Sequence, residues 1–465
     1  RELVTQKDAI FPPGDPAALE KQLQRMTDEP GYRQDLYQRQ AAVGPRFAER
    51  EVARRLWTHV TKHLRRSPAP AVRAADAGRP RLAILSPYPP DRSGVADYTA
   101  ISLADVARHA RVDVFTEAKS PRRDPWVHRY HDVSDLAYLQ GEYDRILAVV
   151  GNSDFHWRIL QLHKRYGGAC LMHDNRLAEL YAWKLGLGPF ANMASEILGR
   201  GVSTQEAEHW LRHPGQLPAL FFDEILLRAD PLIVHSRGIQ SQVAKRYKVK
   251  PAYLPFCCYR PIEAKDLTDD SRRAARKRLG VPDDRLLIIS LGILSRVKGA
   301  AECIYAIEQL RTWGVPAELH FVGSPADMKP ELSEIADKLG VGDHIRLMED
   351  WTTEQQYQDY LLAADFAIQL RAHGFGGLSG AVMDCITAGL PTVVNEDLAE
   401  AMDGPDYVYR VPDHFSPLLI AEQILLASKA ERHRVRLGPT RDAYLREHSF
   451  DRYARLMMKV LGVAA

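Results

Sequence analysis

The sequence has few cysteines, no long apolar run and little net charge. Five cysteines occur in 465 residues, without a CxxC pair or nearby paired histidines, so the pattern predicts neither a zinc site nor a disulfide framework. No apolar segment approaches the roughly 20 residues of a membrane span. The formal net charge of +2 gives no general attraction to nucleic acid. We therefore expect reduced, mostly buried thiols in a cytoplasmic protein that does not bind nucleic acid.

The chain also lacks a hydrophobic leader. It begins at Arg1, so we expect no signal peptide, and the missing initial methionine indicates a piece of a longer protein. Basic residues are concentrated in residues 54–81, where eight cations are opposed by Asp76 alone. A solvated linker is the favoured interpretation of this run. The alternative is a peripheral contact with an anionic surface, such as the inner membrane face.

The order of apolar segments predicts two consecutive domains of similar design. Short apolar runs alternate with helical segments over residues 82–256 and again over 257–446. This alternation is typical of parallel sheets covered by helices on both faces. We therefore predict an α/β fold with two Rossmann-like domains, followed by an amphipathic helix at 447–465. Residues 67–81 are rich in proline and alanine and predict a linker after a helical extension at 1–66.

The helical extension contains a weak repeat of the last helix. VARRLWTHV at 52–60 aligns with YARLMMKVL at 453–461. One interpretation is that residues 1–66 are the tail of a preceding domain of the same kind. The alternative is a pair of unrelated amphipathic helices.

Polar and glycine-containing loops follow the predicted strands of the first domain, at the edge where α/β proteins bind ligands. Gly94 opens a helix, Asn152 and His156 follow one strand, and His173 and Asp174 follow the next. A helix N-terminus and a histidine beside an acid suit phosphate or a sugar hydroxyl. The alternatives are a structural turn at Gly94 and structural histidines.

The first loop of the second domain predicts an anion site. A strand ends at Gly292, the next turn carries Arg296 and Lys298, and Gly299 opens a helix. Two cations at the start of a helix are suited to bind an anion. An exposed basic turn is the alternative.

The run GFGGLSGAVMD, residues 374–384, contains four glycines, Ser379 and Asp384. Glycine N–H groups approach phosphates closely, and a carboxylate can accept hydrogen bonds from a ribose diol. The run therefore predicts a site for a nucleoside diphosphate. The alternative is a glycine-rich surface turn before a core helix.

Several segments together resemble a retaining glycosyltransferase of the GT4 family, and the resemblance covers residues 82–465. They are YPPDRSGVADYT, GNSDFH, LMHD, VHS, LGILSRVKG, LHFVG and GFGGLSGAVMDCITAGLPTVVN. The resemblance implies the GT-B fold, in which the two domains face each other across a cleft and helix 447–465 packs back on the first. The quoted segments are similar to those of enzymes of bacterial surface polysaccharide, lipopolysaccharide and O-antigen assembly. The implied substrates are a nucleotide diphosphate sugar and a glycan or lipid-linked glycan acceptor, without a cofactor.

The resemblance also implies residue roles. The catalytic residues would be His173, beside the transferred sugar, with Lys298 and Arg296 at the diphosphate. The implied donor-binding residues are Gly94, Gly292, Lys298, Gly376, Gly377, Leu378, Ser379 and Asp384. The implied acceptor or sugar side consists of Asn152, His156 and Asp174. The insertion at 185–222 is expected to shape the choice of acceptor.

Two features depart from the family pattern. The first glutamate of its E-x7-E motif is Gly376 here, and the second is shortened to Asp384. The arginine that often precedes the lysine by five residues is Ile293, and we expect Arg296 to substitute for it. No DxD-type acidic pair ends a strand, so the predicted transfer is metal-independent. The alternatives are a non-catalytic scaffold module of a tandem transferase and a nucleotide-sugar epimerase.

Overall fold

The computed structural model describes residues 15–43, 78–294, 296–323, 328–348, 352–372, 377–429 and 438–463. The chain divides into two compact units, Arg1–Gly78 and Arg79–Ala465. In the first unit, α1 (Pro16–Asp28) and α2 (Pro30–Val43) are helical, and the Asp15 side chain caps α1 by accepting a hydrogen bond from Ala18 N at 3.0 Å. The predicted repeat at 52–60 and most of the predicted linker lie outside the described residues.

The second unit alternates strands and helices, as the sequence predicts. Its strands are β1 (Arg81–Leu85), β2 (Arg111–Thr116), β3 (Arg129–Asp132), β4 (Arg145–Val150), β5 (Gly168–Met172), β6 (Ala229–Val234), β7 (Ala252–Tyr253), β8 (Leu286–Leu291), β9 (Ala317–Val322), β10 (Ile345–Leu347), β11 (Phe366–Gln369), β12 (Thr392–Asn395) and β13 (Val408–Val411).

The helices of the second unit lie mainly between these strands. They are α3 (Gly94–Val106), α4 (Leu136–Leu139), α5 (Trp157–Tyr166), α6 (Ala178–Leu185), α7 (Leu187–Leu198), α8 (Thr204–Arg212), α9 (Asp223–Leu226), α10 (Arg237–Tyr247), α11 (Asp269–Leu279), α12 (Ala300–Thr312), α13 (Lys329–Lys338), α14 (Glu354–Ala363), α15 (Gly380–Thr387), α16 (Glu396–Ala401), α17 (Pro417–Lys429), α18 (Pro439–Glu447) and α19 (Phe450–Val460).

Two separate parallel sheets organise these elements. The first has seven strands in the order β3-β2-β1-β4-β5-β6-β7, and the second has six in the order β10-β9-β8-β11-β12-β13. Every described strand pair is parallel. In both sheets the strand order reverses direction beside the first strand of the domain, which places a ligand crevice at the carboxyl ends there. The predicted α/β class with two Rossmann-like domains is confirmed.

The central strands form because they are rich in Leu, Ile and Val and are buried on both faces. In β8, Leu287, Ile288 and Ile289 are fully buried, and they alternate between two hydrophobic clusters on opposite faces of the sheet. A strand covered on both sides needs apolar side chains at every position. This is why the sequence reads as continuous apolar runs rather than an alternating pattern.

The two domains share a hydrophobic cluster around Tyr98, which lies on α3. The Tyr98 ring stacks on Phe256 at 5.0 Å between centroids and meets Phe450 edge-on at 5.2 Å. Helix α19 packs on α3, and the same cluster includes Met383 of the second domain. Residues from the end of the chain therefore complete the core of the first domain.

The five cysteines are free and buried. Burial raises the pKa of the thiols of Cys170, Cys257, Cys303 and Cys385 far above the ordinary value. They remain neutral thiols at physiological pH. Within the described parts of the chain, no helix has the length and apolar character needed to cross a membrane.

Candidate functional site

A cavity of about 200 Å³ lies where the carboxyl ends of the two sheets meet. Residues of both domains line it: Asn152, Met172, His173, Asp174, Asn175, Arg176, Val234, His235, Ser236 and Ile239 from the first, and Arg371, Gly377 and Leu378 from the second. Polar groups on both walls therefore reach a ligand in this cavity at the same time. This arrangement suits a ligand with two chemically different ends, each held by one domain.

Two histidines form the wall of the cavity in the first domain. His173 follows β5, and its ring centroid lies 4.8 Å from His235 and 4.7 Å from Tyr98. His235 Nδ1 lies 3.0 Å from the carbonyl oxygen of Leu254, so Nδ1 carries the proton and donates it. Burial lowers the pKa of His235 to about 4 and that of His173 well below its ordinary value.

Both imidazoles are therefore neutral at physiological pH. The Nε2 atoms of His173 and His235 have no hydrogen-bond partner among the described residues. In a neutral imidazole one ring nitrogen donates and the other accepts a hydrogen bond, so Nε2 of His235 is an acceptor. The pair can therefore bind uncharged hydroxyl groups, and it contributes no positive charge to the cavity.

Asn152 and Asp174 are hydrogen-bonded to each other next to the N-terminus of α6. The Asp174 Oδ2 accepts a hydrogen bond from Asn152 N at 2.6 Å, and the Asn152 Oδ1 accepts one from Leu180 N at 2.9 Å. The Asn152 amide also donates to Glu179, which in turn pairs with Arg176 Nε at 2.9 Å. This network fixes the loops after β4 and β5, and it leaves the exposed Asp174 carboxylate beside the cavity.

His156 does not line the cavity, although the sequence analysis assigned it to the acceptor side. Its ring is 1% exposed, and its Nδ1 lies 3.1 Å from the carbonyl oxygen of Val149. A side chain added at Gly151 would approach His156 Nε2 within 2.8 Å. The ring is therefore folded back beneath the turn after β4, where it supports the loop and has no surface for an acceptor.

Gly94 begins α3, as predicted, and Ser93 caps this helix by accepting a hydrogen bond from Val95 N at 3.3 Å. A Cβ added at Gly94 would meet no atom within 4 Å. Gly94 does not line the described cavity. Its predicted contact with donor and acceptor therefore remains a prediction.

The loop after β8 holds Lys298 half-buried, outside the cavity lining. Gly292 has φ of +91°, and a Cβ there would lie 2.9 Å from Lys298 Nζ. The Nζ donates to the carbonyl oxygen of Leu291 at 3.1 Å. Burial and the positive charge of Arg371 lower the pKa of Lys298 to about 8. Glycine at 292 thus provides both the left-handed backbone and the space for the ammonium group.

The loop after β11 supplies the second-domain wall of the cavity. Ser379 caps α15 by accepting a hydrogen bond from Val382 N at 3.3 Å, and Gly377 and Leu378 precede it in the cavity wall. The N–H groups at the start of α15 are therefore presented near the cavity, with the positive end of the helix dipole. Gly376 and the side chain of Arg296 lie outside the described residues, and their predicted roles are untested.

Asp384 differs from its prediction as a ribose-binding carboxylate. The side chain is fully buried, and its Oδ2 accepts a hydrogen bond from the hydroxyl of Tyr357 at 2.7 Å. Arg260 lies 3.6 Å from the same oxygen, and burial raises the pKa of Asp384 to about 6. The carboxylate faces the interior because it lies on the inner side of α15, so it presents no surface to a ribose in this conformation.

Arg371 and His235 are cavity residues to which the sequence analysis gave no role. Both stand at the end of a strand, Arg371 just after β11 and His235 just after β6. That position was the available signal, because it is shared by Asn152, His173 and Asp174. Within the described ranges, no group of three or more His, Cys, Asp or Glu side chains could hold a metal ion.

Comparisons with known proteins indicate similarity to glycosyltransferases. Residues 271–402 match the family model for glycosyl transferases group 1. The chain is 24% identical over 439 residues to the D-inositol 3-phosphate glycosyltransferase of Xylanimonas cellulosilytica, covering 83% of this chain and 97% of that protein. The same enzyme of Thermobifida fusca is 24% identical over 367 residues, covering 70% of this chain and 82% of that protein.

Solved structures share the fold at low sequence identity. Anabaena HepE in complex with UDP and glucose has a TM-score of 0.55 and 13% identity, covering 83% of this chain and all of that one. The sucrose-phosphate synthase of Thermosynechococcus elongatus has a TM-score of 0.56 and 16% identity, covering 82% and 98% of the two chains. The fold is therefore GT-B, and the family match supports a glycosyltransferase.

Proposed function

We propose that the protein is a retaining glycosyltransferase that moves a sugar from a nucleotide diphosphate sugar to a glycan or lipid-linked glycan acceptor. The observation that carries the proposal is the cavity lined by both domains at the carboxyl ends of their sheets. The half-buried Lys298 lies near Arg371 of the second-domain wall, and two neutral histidines lie on the wall of the first domain. These cationic and neutral polar groups are complementary to a ligand with an anionic end and a hydroxyl-rich end.

The roles follow from the charges. The bond between the sugar C1 and the β-phosphate oxygen breaks, and negative charge develops on the leaving diphosphate. Lys298 and the N-terminus of α15 stabilise that charge. His173 holds the sugar through a neutral nitrogen. The acceptor hydroxyl bonds to C1 on the face from which the diphosphate departs, and its proton passes to a phosphate oxygen.

In this proposal the transfer needs neither a metal ion nor a cofactor, because positive charge from side chains and the helix dipole replaces the cation. The nucleotide sugar enters as a substrate. The HepE structure, a complex with UDP and glucose, supports a donor of this class. Closure of the two domains over the donor would exclude water and limit hydrolysis.

The acceptor is the open part of the proposal. We predict a role in surface polysaccharide assembly, with α7 and α8 of the segment 185–222 shaping the acceptor side. The curated relatives are named for D-inositol 3-phosphate, so this compound belongs in the acceptor screen. The cytoplasmic location also remains a prediction. The basic segment is predicted to make a peripheral contact with the inner membrane face, and residues 54–77 of this segment lie outside the described residues.

A donor screen tests the proposal. The protein is mixed with UDP-, GDP-, dTDP- and ADP-sugars, each with and without EDTA, and its melting temperature and nucleoside diphosphate release are measured. One donor should stabilise the protein and be turned over regardless of EDTA. Stabilisation without an acceptor requirement, with conversion of the sugar to its epimer, would favour an epimerase. No response to any donor would favour the scaffold module.

A further inference from the structure

In the proposed diphosphate-binding part of the site, one position that is often positively charged in the resembled family is apolar in this chain. Where the resembled family often has an arginine, this chain has Ile293, whose side chain is 51% exposed. Lys298 alone carries one positive charge, and its lowered pKa weakens even that near pH 8. A diphosphate leaving group carries more than one negative charge. A second cation beside Lys298 would therefore balance more of that charge.

The loop after β11 brings such a cation to the turn that carries Lys298. Strands β8 and β11 are neighbours in the second sheet. Ala372 N donates a hydrogen bond to the carbonyl oxygen of Val297 at 2.8 Å, which ties the two loops together. Burial lowers the pKa of Lys298, and the positive charge of Arg371 lowers it further. The two cations are thus close in space, although 73 residues separate them in the sequence.

The backbone of Arg371 is fixed while its side chain remains available. Arg371 N donates to the Asn395 Oδ1 at 2.8 Å, and the Asn395 amide donates to the Arg371 carbonyl oxygen at 3.1 Å. The guanidinium lines the cavity, and its Nε is buried without a hydrogen-bond partner. Such a group is costly unless an anion pairs with it.

The neighbouring carboxylates do not satisfy this need. Burial lowers the pKa of Arg371, and Asp174, which also lines the cavity, acts in the opposite direction. Among the described residues no carboxylate lies within 4.0 Å of Arg371, the limit for an ion pair. Glu179 is occupied by Arg176. Arginine remains charged through physiological pH, so the cavity holds a fixed positive charge that lacks a close counter-ion.

We propose that Arg371 is the second diphosphate-binding cation of the site, acting together with Lys298 in the place of the arginine that Ile293 replaces. This inference rests on the proposed function. It assigns to the loop after β11 a role that the sequence analysis gave to Arg296. The planar guanidinium can bind two phosphate oxygens at once, which Lys298 cannot do.

Isothermal titration calorimetry of wild type and Arg371→Ala tests the inference. UDP, GDP, dTDP and ADP are titrated into the wild type, and the tightest diphosphate is then compared with its nucleoside and its monophosphate. Arg371→Ala should weaken the diphosphate by about tenfold to a hundredfold and leave the nucleoside unchanged. Arg371→Lys should recover part of the loss, because it keeps the charge without the fork.

Two controls separate binding from folding. Arg410→Ala removes an exposed arginine of β13 in the same domain and should leave diphosphate affinity unchanged. The pH dependence of binding gives a second readout: without the neighbouring charge, the pKa of Lys298 rises, so the alkaline loss of affinity should move to higher pH in Arg371→Ala. This shift would show that the two cations are neighbours, whereas a loss of diphosphate affinity with unchanged nucleoside affinity is the readout that a purely structural role would not produce.

The outcomes distinguish this inference from the proposed function. If the wild type binds a diphosphate and Arg371→Ala binds it equally well, the role of Arg371 is overturned and the proposed function stands. Equal weakening of nucleoside and diphosphate would also overturn it, because that pattern indicates a general disturbance. If no nucleoside diphosphate binds to the wild type, the proposed function itself fails.

Discussion

At the scale of single residues, the position of Lys298 determines both its protonation state and its ability to bind an anion. Its ammonium group lies in the space left by Gly292, and burial together with Arg371 lowers its pKa to about 8. The pKa lies below that of a solvated lysine, so the proton is lost on the alkaline side of pH 8, where an exposed lysine would keep it. An anion that binds there favours the protonated form.

The first prediction concerns the pH dependence of this lysine. The affinity for a nucleoside diphosphate should be constant near pH 7 and fall by up to about tenfold per pH unit above about pH 8, because the neutral amine no longer attracts the phosphates. Calorimetric titration between pH 7 and pH 9.5 measures the effect. Lys298→Arg stays charged and should flatten the curve. An equal decline in both proteins would show that another group titrates.

The second prediction concerns Asp384, whose buried carboxyl has its pKa raised to about 6. A raised pKa means that the folded state binds the proton more tightly than the unfolded state, so stability declines as pH rises from about 4 to about 6. Asp384→Asn removes this decline. Its unfolding free energy relative to wild type should increase over that range by about 2–3 kcal/mol, measured by urea denaturation.

Asp359 provides the matched control for that experiment. It pairs with Arg278 at 2.6 Å, and the hydrogen bonds from this partner lower its pKa. Asp359→Asn should therefore lose stability at neutral pH, and the difference from wild type should diminish as pH falls below 4. Difference curves with the same slope for the two variants would contradict the assignment of opposite pKa shifts.

Single residues were the hardest level to predict from sequence. Histidines at strand ends look alike in sequence, yet the turn after β4 buries His156 while His173 reaches the cavity. Likewise, the spacing of Asp384 from the glycines does not reveal which side of α15 faces the core. Arg371 and Lys298 meet only because β8 and β11 are neighbours, which no local pattern encodes.

At the scale of elements, the loop after β8 joins strand, turn and helix through two glycines in the left-handed region. Gly292 has φ of +91° and Gly299 has φ of +60°. A Cβ at Gly299 would come within 2.9 Å of Phe415 and 3.0 Å of Leu370. The turn is thus held tightly against the segments that follow β11 and β13, which positions Lys298.

The third prediction tests this turn with Gly292→Ala. The added methyl group meets Lys298 Nζ at 2.9 Å in a strained backbone, so the lysine must move away from its position. Diphosphate affinity should fall by about tenfold, measured by calorimetry. Gly280→Ala introduces a similar strain at φ of +69° with no atom within 4 Å. It should lower stability by about 1–2 kcal/mol without changing affinity; equal affinity losses would rule out a local effect.

Elements were predicted well where they are long and apolar. The central strands of both sheets correspond to the apolar runs of the sequence, because burial on both faces requires such residues. The edge strands β3 and β7 were not predicted. Strand β3 reads Arg-Tyr-His-Asp, and β7 has two residues, so neither offers an apolar pattern, and both are defined by pairing with a neighbour.

At the scale of the whole molecule, the end of the chain stabilises its first domain. Tyr453 of α19 is 1% exposed and lies in the cluster around Tyr98. Arg145 Nε donates to the carbonyl oxygen of Leu461 at 2.7 Å, which fastens the end of this helix to β4. His235 of the cavity stacks on the Tyr453 ring at 6.1 Å. The helix therefore supports the site as well as the core.

The fourth prediction is that Tyr453→Ala destabilises the protein by roughly 3–5 kcal/mol, the cost of removing a buried aromatic ring. Thermal and urea unfolding measure it. Arg455→Ala lies on the same helix, where the exposed Arg455 pairs with Asp451, and should change stability by less than about 1 kcal/mol. Similar values for the two variants would mean that α19 does not complete the core.

Sugar transfer by the purified protein is the decisive measurement for the proposed glycosyltransferase activity. The donor that stabilises the protein most is incubated with lipid-linked glycan acceptors and with inositol 3-phosphate, and nucleoside diphosphate and glycosylated product are quantified together. We expect equal amounts of both products, with retained anomeric configuration, and a loss of about a hundredfold in Lys298→Ala. Absence of product with every donor, or full activity in Lys298→Ala, would contradict this expectation.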